Sequence, residues 1–260
     1  MNSTADFKSP YCVLLSLKRD IMKKSPIFMT ICLAGASLGS TLANADTIEV
    51  ISSGGFYSSM EKLIPLFEKQ TGHTVHLSSG SSMGASPTAI LNRLDRGERF
   101  DVVVLAAPEL NKLAEKGYVD PNSQSPLVNS SIGMAVPKGA PKPDISSAEK
   151  FEKVLLNAKH IGYSASASGT HLEKDVFPSF PPVEYKVISS KAEKVVGDRV
   201  AKRIAEGQFD IGFQQISEIK PFTGKYGQVE LVGPIPAPYQ KVTVFAAGIG
   251  KNSEHAKVAK

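Results

Sequence analysis

Val102-Val103-Val104-Leu105 is an unbroken apolar run between Asp101 and Ala106-Ala107-Pro108, and no other stretch restricts the fold as strongly. A run this short and this apolar reads as a strand buried on both faces, which requires helices on either side of its sheet. The residues around it agree. Residues 47–51 read as a strand. Residues 57–70 read as a helix carrying Met60, Leu63, Ile64 and Phe67 on one face. Residues 74–77 form a second strand, and 87–96 a helix with Ser86 at its cap and Pro87 in its first turn, where a missing N–H costs nothing. Residues 108–116 form the helix after the apolar run. This βαβαβα order predicts an open α/β sheet.

A break follows at 118–126, rich in Pro, Asn and Ser. Residues 127–137 then read as an extended crossing and 138–143 as a Pro-rich loop. A second series begins with a helix near 148–157 and a strand at 160–163. It continues with a helix after Ser168, a strand at 185–189, a helix at 192–206 and a strand at 209–213. Residues 242–249 are apolar and extended and can return to the first sheet. The expectation is an α/β protein of two lobes, 46–126 and 127–239, with 240–260 returning to the first. Two crossings join the lobes and a cleft separates them.

The first 45 residues do not belong to this pattern. Met22-Lys23-Lys24, the apolar residues 27–38 and Ala43-Asn44-Ala45 have the charged start, short apolar centre and small-x-small end of a secretory signal. The apolar run is too short for a permanent membrane span. The reading is therefore a start at Met22, cleavage after Ala45 and a mature chain from Asp46 in the periplasm. Ile31 before Cys32 argues against lipid attachment, which wants a small residue there. Cys12 and Cys32 both precede the cut, which excludes disulfides, thiolate metal sites and a cysteine nucleophile from the mature chain. No metal or organic cofactor is implied. The whole chain carries a net +5, and losing five positive and two negative charges with the leader leaves +2. With no basic run and 7% aromatic residues, the chain does not read as a nucleic-acid binder, whereas a small anion suits it.

In an open α/β sheet the ligand lies at the carboxyl ends of the strands. After the first strand stands Ser52-Ser53-Gly54-Gly55-Phe56, which nominates Ser53, Gly54 and Gly55. After the second stands a Ser- and Gly-rich loop that nominates Ser81, Ser82 and Met83. In the second series, residues 161–171 run from a strand into hydroxyls and then a helix that Thr170 can cap, with Glu173 three residues later. Ser166, Ser168, Gly169 and Thr170 are the candidates there, and Gln214, Gln215 and Ser217 stand at the last strand end. Backbone N–H groups, the positive end of a helix and hydroxyls converge in such junctions on an anion. Ala106-Ala107-Pro108 and the Ser190-Lys191 link carry no such group.

Residues 48–56, the Ser81-Ser82 loop, Gly97-Glu98-Arg99-Phe100-Asp101-Val102-Val103-Val104 and Gly207-Gln208-Phe209-Asp210-Ile211-Gly212-Phe213 carry a family resemblance. The chain resembles the periplasmic molybdate-binding proteins and the wider type II solute-binding proteins of ABC importers. The resemblance implies two lobes hinged over an oxyanion that is held by serine hydroxyls and backbone N–H groups without a countercharge. It also implies a monomer that serves a membrane permease. The family's first ligand serine falls on Gly55, with Ser53 two residues earlier. The second falls on the Ser81-Ser82 loop and the third within 166–170, while its pocket-closing tyrosine falls near Gln215. A small residue for Ser and an amide for Tyr imply a wider pocket, and the paired amides Gln214 and Gln215 suit a small carboxylate.

One branch that this chain resembles, that of aconitate isomerase, is enzymatic and moves a proton across an allylic system. Gly-Gly-Phe, Ser-Met-Gly and Phe-Gln-Gln-Ile-Ser-Glu are the features shared with it. Such chemistry needs a base, and Glu218 and His171 are the candidates. Residues 253–260 read as the opening of a helix, where the resemblance implies another helix or two. Either the sequence is truncated there or this member lacks that packing.

Overall fold

The computed structural model describes residues 45–260. The signal segment with its start at Met22, and both cysteines, lie outside them apart from Ala45. Among the described residues no helix is long and apolar enough to cross a membrane.

The first half builds β1 (Thr47–Ser53), α1 (Gly54–Thr71), β2 (Thr74–Gly80), α2 (Ile90–Asp95), β3 (Val102–Ala106), α3 (Ala107–Glu115) and β4 (Ser125–Ser130). The second builds β5 (Ile132–Pro137), α4 (Ala148–Asn157), β6 (Ile161–Ser164), α5 (Ala167–His171), α6 (Pro182–Ser189), β7 (Ala192–Val195), α7 (Val200–Ala205), β8 (Ile211–Gln215), α8 (Ile216–Ile219) and β9 (Val229–Pro234). The chain then returns as β10 (Thr243–Ile249). Two five-stranded sheets result, ordered β2-β1-β3-β10-β4 and β7-β6-β8-β5-β9. Each is evenly mixed rather than mostly parallel. β1 pairs in parallel with β2 and β3, and β6 with β7 and β8, while β10 and β5 each make two antiparallel pairings.

The apolar run is buried as its composition requires, with Val103, Val104 and Leu105 at 1% exposure or less. Around it Ile51, Ile90, Leu110 and Leu113 form the first core. Phe151, Leu155, Ile161, Leu172 and Phe213 lie in the core on one face of the second sheet, and Val200, Ile204 and Phe209 in a smaller core built around α7. The two Phe-Asp pairs that precede β3 and β8 do the same work in both lobes. Asp101 accepts the Glu49 N–H at 2.8 Å where β1 begins, and Asp210 accepts the N–H groups of Lys159 and His160 at 2.8 and 2.7 Å just before β6. These carboxylates satisfy donors that the ladders leave over and thereby fix the start of each lobe's central strand.

Several sequence expectations need correction. The helix expected at 87–96 begins only at Ile90, so Ser86 is not its cap and Pro87 lies in the turn before it. Residues 253–260 form turns and not the opening of a helix. Residues 127–137 are not one crossing: β4 pairs with β10 in the first sheet and β5 with β8 in the second, so the chain changes sheets at Ser131. The strand expected at 185–189 is part of helix α6. Its alternating Val183, Tyr185 and Val187 are exposed, and Ile188 is the residue it buries. The helix expected at 192–206 is instead the edge strand β7 followed by α7. Around both crossings, the Gln240 side chain accepts from the Ile132 N–H at 2.8 Å and donates to the carbonyls of Ile132 and Ile235 at 2.9 and 3.2 Å.

Candidate functional site

The ends of β1, β2, β6, β7 and β8 meet between the sheets, where a cavity of about 470 Å³ opens. From the first lobe come Gly54 and Tyr57 on α1, Ser79, Gly80 and Ser81 at the end of β2, and Ser86 and Thr88 from the following turn. From the second come Ser164, Ala165 and Ser166, the stretch of Gly197, Asp198, Arg199 and Lys202, and Gln214, Glu218 and Phe222. The lobes approach closely at two glycines. A Cβ on Gly54 would lie 1.8 Å from Glu218 Oε1, and one on Gly84, whose φ is +102°, would lie 2.8 Å from the Ala165 carbonyl oxygen. Only glycine lets the head of α1 and this loop come so near the second lobe.

Glu218 opens α8, immediately after β8, and only 8% of it is exposed. Burial pushes its pKa up from 4.5 to about 7, against the opposing pull of the Arg199 charge, the Gln215 N–H and the Gln214 side chain. Gln214 is itself fixed, since its Oε1 accepts from the Ala201 N–H at 3.2 Å. The wall thus presents a carboxyl poised near neutrality beside the amino end of an 18-residue helix.

Arg199 and Lys202 are cations that sequence reasoning missed. The resemblance implied a cleft without a countercharge, and this cleft has one. Lys202 is paired with Asp198 at 3.1 Å, and Arg203 Nε reaches the same carboxylate at 3.0 Å. The Arg199 guanidinium makes no ion pair among the described residues; its carbon lies over the rings of Tyr57 and Phe222 at 5.6 and 5.8 Å.

The predicted candidates divide into those that line the cavity and those that frame it. Gly54, Ser81, Ser166, Gln214 and Glu218 line it. Ser81 spends its hydroxyl on the Met83 carbonyl at 2.9 Å, whereas Ser166 caps α5 by position without a side-chain hydrogen bond. Ser53 is 1% exposed and its hydroxyl finds no partner among the described residues. Gly55 does not widen the pocket: the Phe245 ring fills the place of its side chain, with Cζ 2.0 Å from where a Cβ would be. Ser82 and Met83 are held away from the cavity, Ser82 by accepting the Ala106 N–H at 3.1 Å.

Ser168 is buried against Ser164 at 2.9 Å between hydroxyls, and Gly169 packs so tightly on the Ser164 carbonyl that a Cβ would lie 1.6 Å away. Thr170 is not the cap that was expected; α5 starts at Ala167, and the Thr170 N–H donates to the Ser166 carbonyl at 2.9 Å. Gln215 and Ser217 belong to the crossings. The Gln215 amide satisfies its neighbours with its nitrogen 2.8 Å from Ser130 Oγ and its oxygen accepting from Thr243 Oγ1 at 3.0 Å, and Ser217 Oγ lies 3.3 Å from Ser130 Oγ. His171 does not line the cavity, and both its ring nitrogens are engaged, Nδ1 with Asp175 at 2.7 Å and Nε2 with the Tyr239 carbonyl at 3.0 Å. Among the described residues no cluster of His, Cys, Asp and Glu could hold a metal ion.

Comparison with known proteins places this arrangement. Residues 48–260 match the profile of a family described as bacterial extracellular solute-binding protein. An aconitate isomerase from a Pseudomonas species is 37% identical over 239 residues, spanning 90% of this chain and 89% of that one. Among solved structures, the periplasmic molybdate-binding protein of Azotobacter vinelandii superposes with a TM-score of 0.60 at 23% identity, covering 82% of this chain and 89% of that one. Peb3 of Campylobacter jejuni does so with a TM-score of 0.56 at 15% identity, covering 81% and 90%. The fold is that of the two-lobed, molybdate-binding-like periplasmic proteins, and the chain belongs to the bacterial extracellular solute-binding protein family.

Proposed function

We propose that this protein is an exported isomerase that closes its lobes on a small polycarboxylate and moves a proton along it, interconverting cis- and trans-aconitate. The observation that carries this reading is Glu218: a carboxyl buried in the cleft wall, held near pH 7, and pressed against the Gly54 end of α1. A base with that pKa exists in useful amounts in both protonation states at neutral pH, which proton removal and return by one group require. The similarity to an aconitate isomerase over nearly the whole of both chains supports it independently. Export rests on the signal pattern of residues 22–45 and on the family.

The step needs no oxidant or co-reactant. The Glu218 carboxylate takes a proton from the substrate methylene; the C–H electron pair spreads over the three-carbon allylic system and its carboxylates. The Glu218 carboxyl then returns the proton to the opposite terminal carbon, and the double bond has moved. Charge that develops on the substrate faces the N–H groups at the head of α1, the Ser166 hydroxyl and the Arg199 guanidinium. Molybdate, which offers no proton to move, would leave Glu218 without a task.

The test is to incubate each aconitate isomer with the protein and with Glu218→Gln and His171→Ala, and to follow the isomers by chromatography. The wild type should interconvert them. Glu218→Gln should lose about 10²- to 10⁴-fold in rate with substrate binding retained, and His171→Ala should remain active. Tight binding without turnover by the wild type would replace this reading with that of a binding protein that delivers the anion to an ABC permease.

A further inference from the structure

Of the charged side chains that line the cleft, Arg199 is the one whose position remains unexplained. Asp198 pairs with Lys202 at 3.1 Å and Arg203 at 3.0 Å, Glu206 reaches the same two cations at 3.9 and 3.4 Å, and the other oxygen of Asp198 accepts the Arg199 backbone N–H at 2.8 Å. The Arg199 guanidinium makes no ion pair among the described residues; it lies near two aromatic rings, and the one carboxyl that feels its charge is that of Glu218 in the same wall. One ring, Tyr57, rides on α1 of the first lobe, and the other, Phe222, follows α8 in the second. Rings engage a guanidinium through its faces, whereas its five N–H donors lie in its plane and match a carboxylate two at a time. A cation held beside two rings without an ion pair in a cleft is set to receive an anion from solution.

The cavity also offers a second anion position. The head of α1 and the Ser166 hydroxyl supply neutral donors besides Arg199, and Glu218 stands in the same wall. A volume of about 470 Å³ is within the ordinary range for an organic ligand and is more than a tetraoxyanion fills.

We propose that Arg199 determines ligand specificity by taking one carboxylate of a ligand that carries at least two, and that its contact with Tyr57 makes closure of the lobes depend on that carboxylate. This rests on the polycarboxylate reading above, but not on turnover. A ligand with a single anionic group would occupy the donors of α1 and leave Arg199 unpaired. A ligand with two would span both positions, hold the guanidinium between the lobes and bring its intervening carbon to Glu218.

Titration calorimetry with tricarballylate, the saturated tricarboxylate that cannot undergo an allylic shift, tests this apart from catalysis. The wild type, Arg199→Lys, Arg199→Ala and Tyr57→Leu would be compared, with the melting temperature of each measured in the absence of ligand. Arg199→Ala should weaken tricarballylate binding about 30-fold or more while its unliganded melting temperature stays with the wild type. Arg199→Lys should recover part of that loss, and Tyr57→Leu should cost about tenfold through the lost lobe-bridging contact. An Arg199→Ala protein that binds tricarballylate within threefold of wild type overturns the proposal, as does a wild type that does not bind it. If tricarballylate binds in this Arg199-dependent way and no isomer interconversion is seen, the isomerase reading fails and the assignment of Arg199 stands.

Discussion

The two lobes are built on one plan and finished differently. In both, a central strand pairs in parallel with the strands that follow it, in the orders β2-β1-β3 and β7-β6-β8, and an Asp ahead of the third strand fixes the start of the central one. At the strand ends the likeness stops. The first lobe gives the cleft glycines, hydroxyls and the amino end of a long helix, all neutral, while the second gives it Glu218, Arg199, Lys202 and Asp198. Neutral donors are sufficient to hold an anion. Proton transfer and the choice between anions need ionisable groups, so on the reading proposed above both fall to the second lobe.

The strongest way to break that contrast is to remove the ionisable group that burial penalises. Glu218 has an ordinary pKa of 4.5 when unfolded and about 7 when folded. Below pH 4.5 both states carry the proton, and the group costs nothing. Between 4.5 and 7 the unfolded chain releases its proton while the folded one retains it, so stability falls as pH rises; above 7 the penalty is constant. Its full size is about 3 kcal/mol, taking about 1.4 kcal/mol for each pH unit between the two pKa values. Glu218→Gln should therefore raise stability by about that amount at pH 8 and by nothing at pH 4, as measured by urea unfolding at both values. An equal effect at both pH values would mean that the carboxyl is not held as described, and the contrast between the lobes would lose its strongest element.

Much of the shared plan was legible in the sequence, because burial writes itself into composition. The apolar run of β3, the helix near 148–157 and the return of β10 all follow from residue type. Arg199, Lys202 and Asp198 were not legible, and one segment explains why. β7 is an edge strand with sequence Ala-Glu-Lys-Val, of which only Val195 is buried, so it carries no apolar signature. The preceding helix α6 alternates Val183, Tyr185 and Val187 like a strand, yet leaves them exposed. Taking that helix for the strand placed the strand end at Ser190-Lys191 and concealed the true one, where Gly197, Asp198 and Arg199 enter the cleft. Gly54, Ser81 and Glu218, which line the cavity, stand at ends of strands that the sequence did show. The distinction between lining and framing hydroxyls, as for Ser166 against Ser168, depends on tertiary contacts that no spacing reveals.

A second test addresses the contact through which the lobes meet. In Gly54→Ala the new Cβ would sit 1.8 Å from Glu218 Oε1, so the buried carboxyl must move. The substitution adds one methyl to the first lobe and removes nothing from the second. If the proton-transfer geometry is set across the cleft, turnover of aconitate should fall about tenfold or more while the circular dichroism spectrum is retained, since small misplacements of a catalytic group have large effects on rate. Full activity in Gly54→Ala would show that Glu218 acts from some other position.

The smallest expected effect separates hydroxyls that look alike in the sequence. Ser81, in the first lobe, lines the cavity but donates to the Met83 carbonyl, so its one hydrogen is already committed. Ser166, in the second, lines the cavity with no capping bond and can donate to an anion. Ser168 lies behind it, buried and paired with Ser164. Replacing each by Ala should therefore give three different outcomes in parallel calorimetric and urea titrations. Ser166→Ala should weaken tricarballylate binding by about 1 to 2 kcal/mol at unchanged stability, because a hydrogen bond to a charged group is lost. Ser81→Ala should change binding by less than about 0.5 kcal/mol, as expected of a substitution that takes nothing from the ligand. Ser168→Ala should leave binding alone and cost about 1 kcal/mol of stability through its buried partner. Should Ser81→Ala weaken binding more than Ser166→Ala does, the first lobe contributes more than backbone donors and a helix end, and the division of labour between the lobes would have to be redrawn.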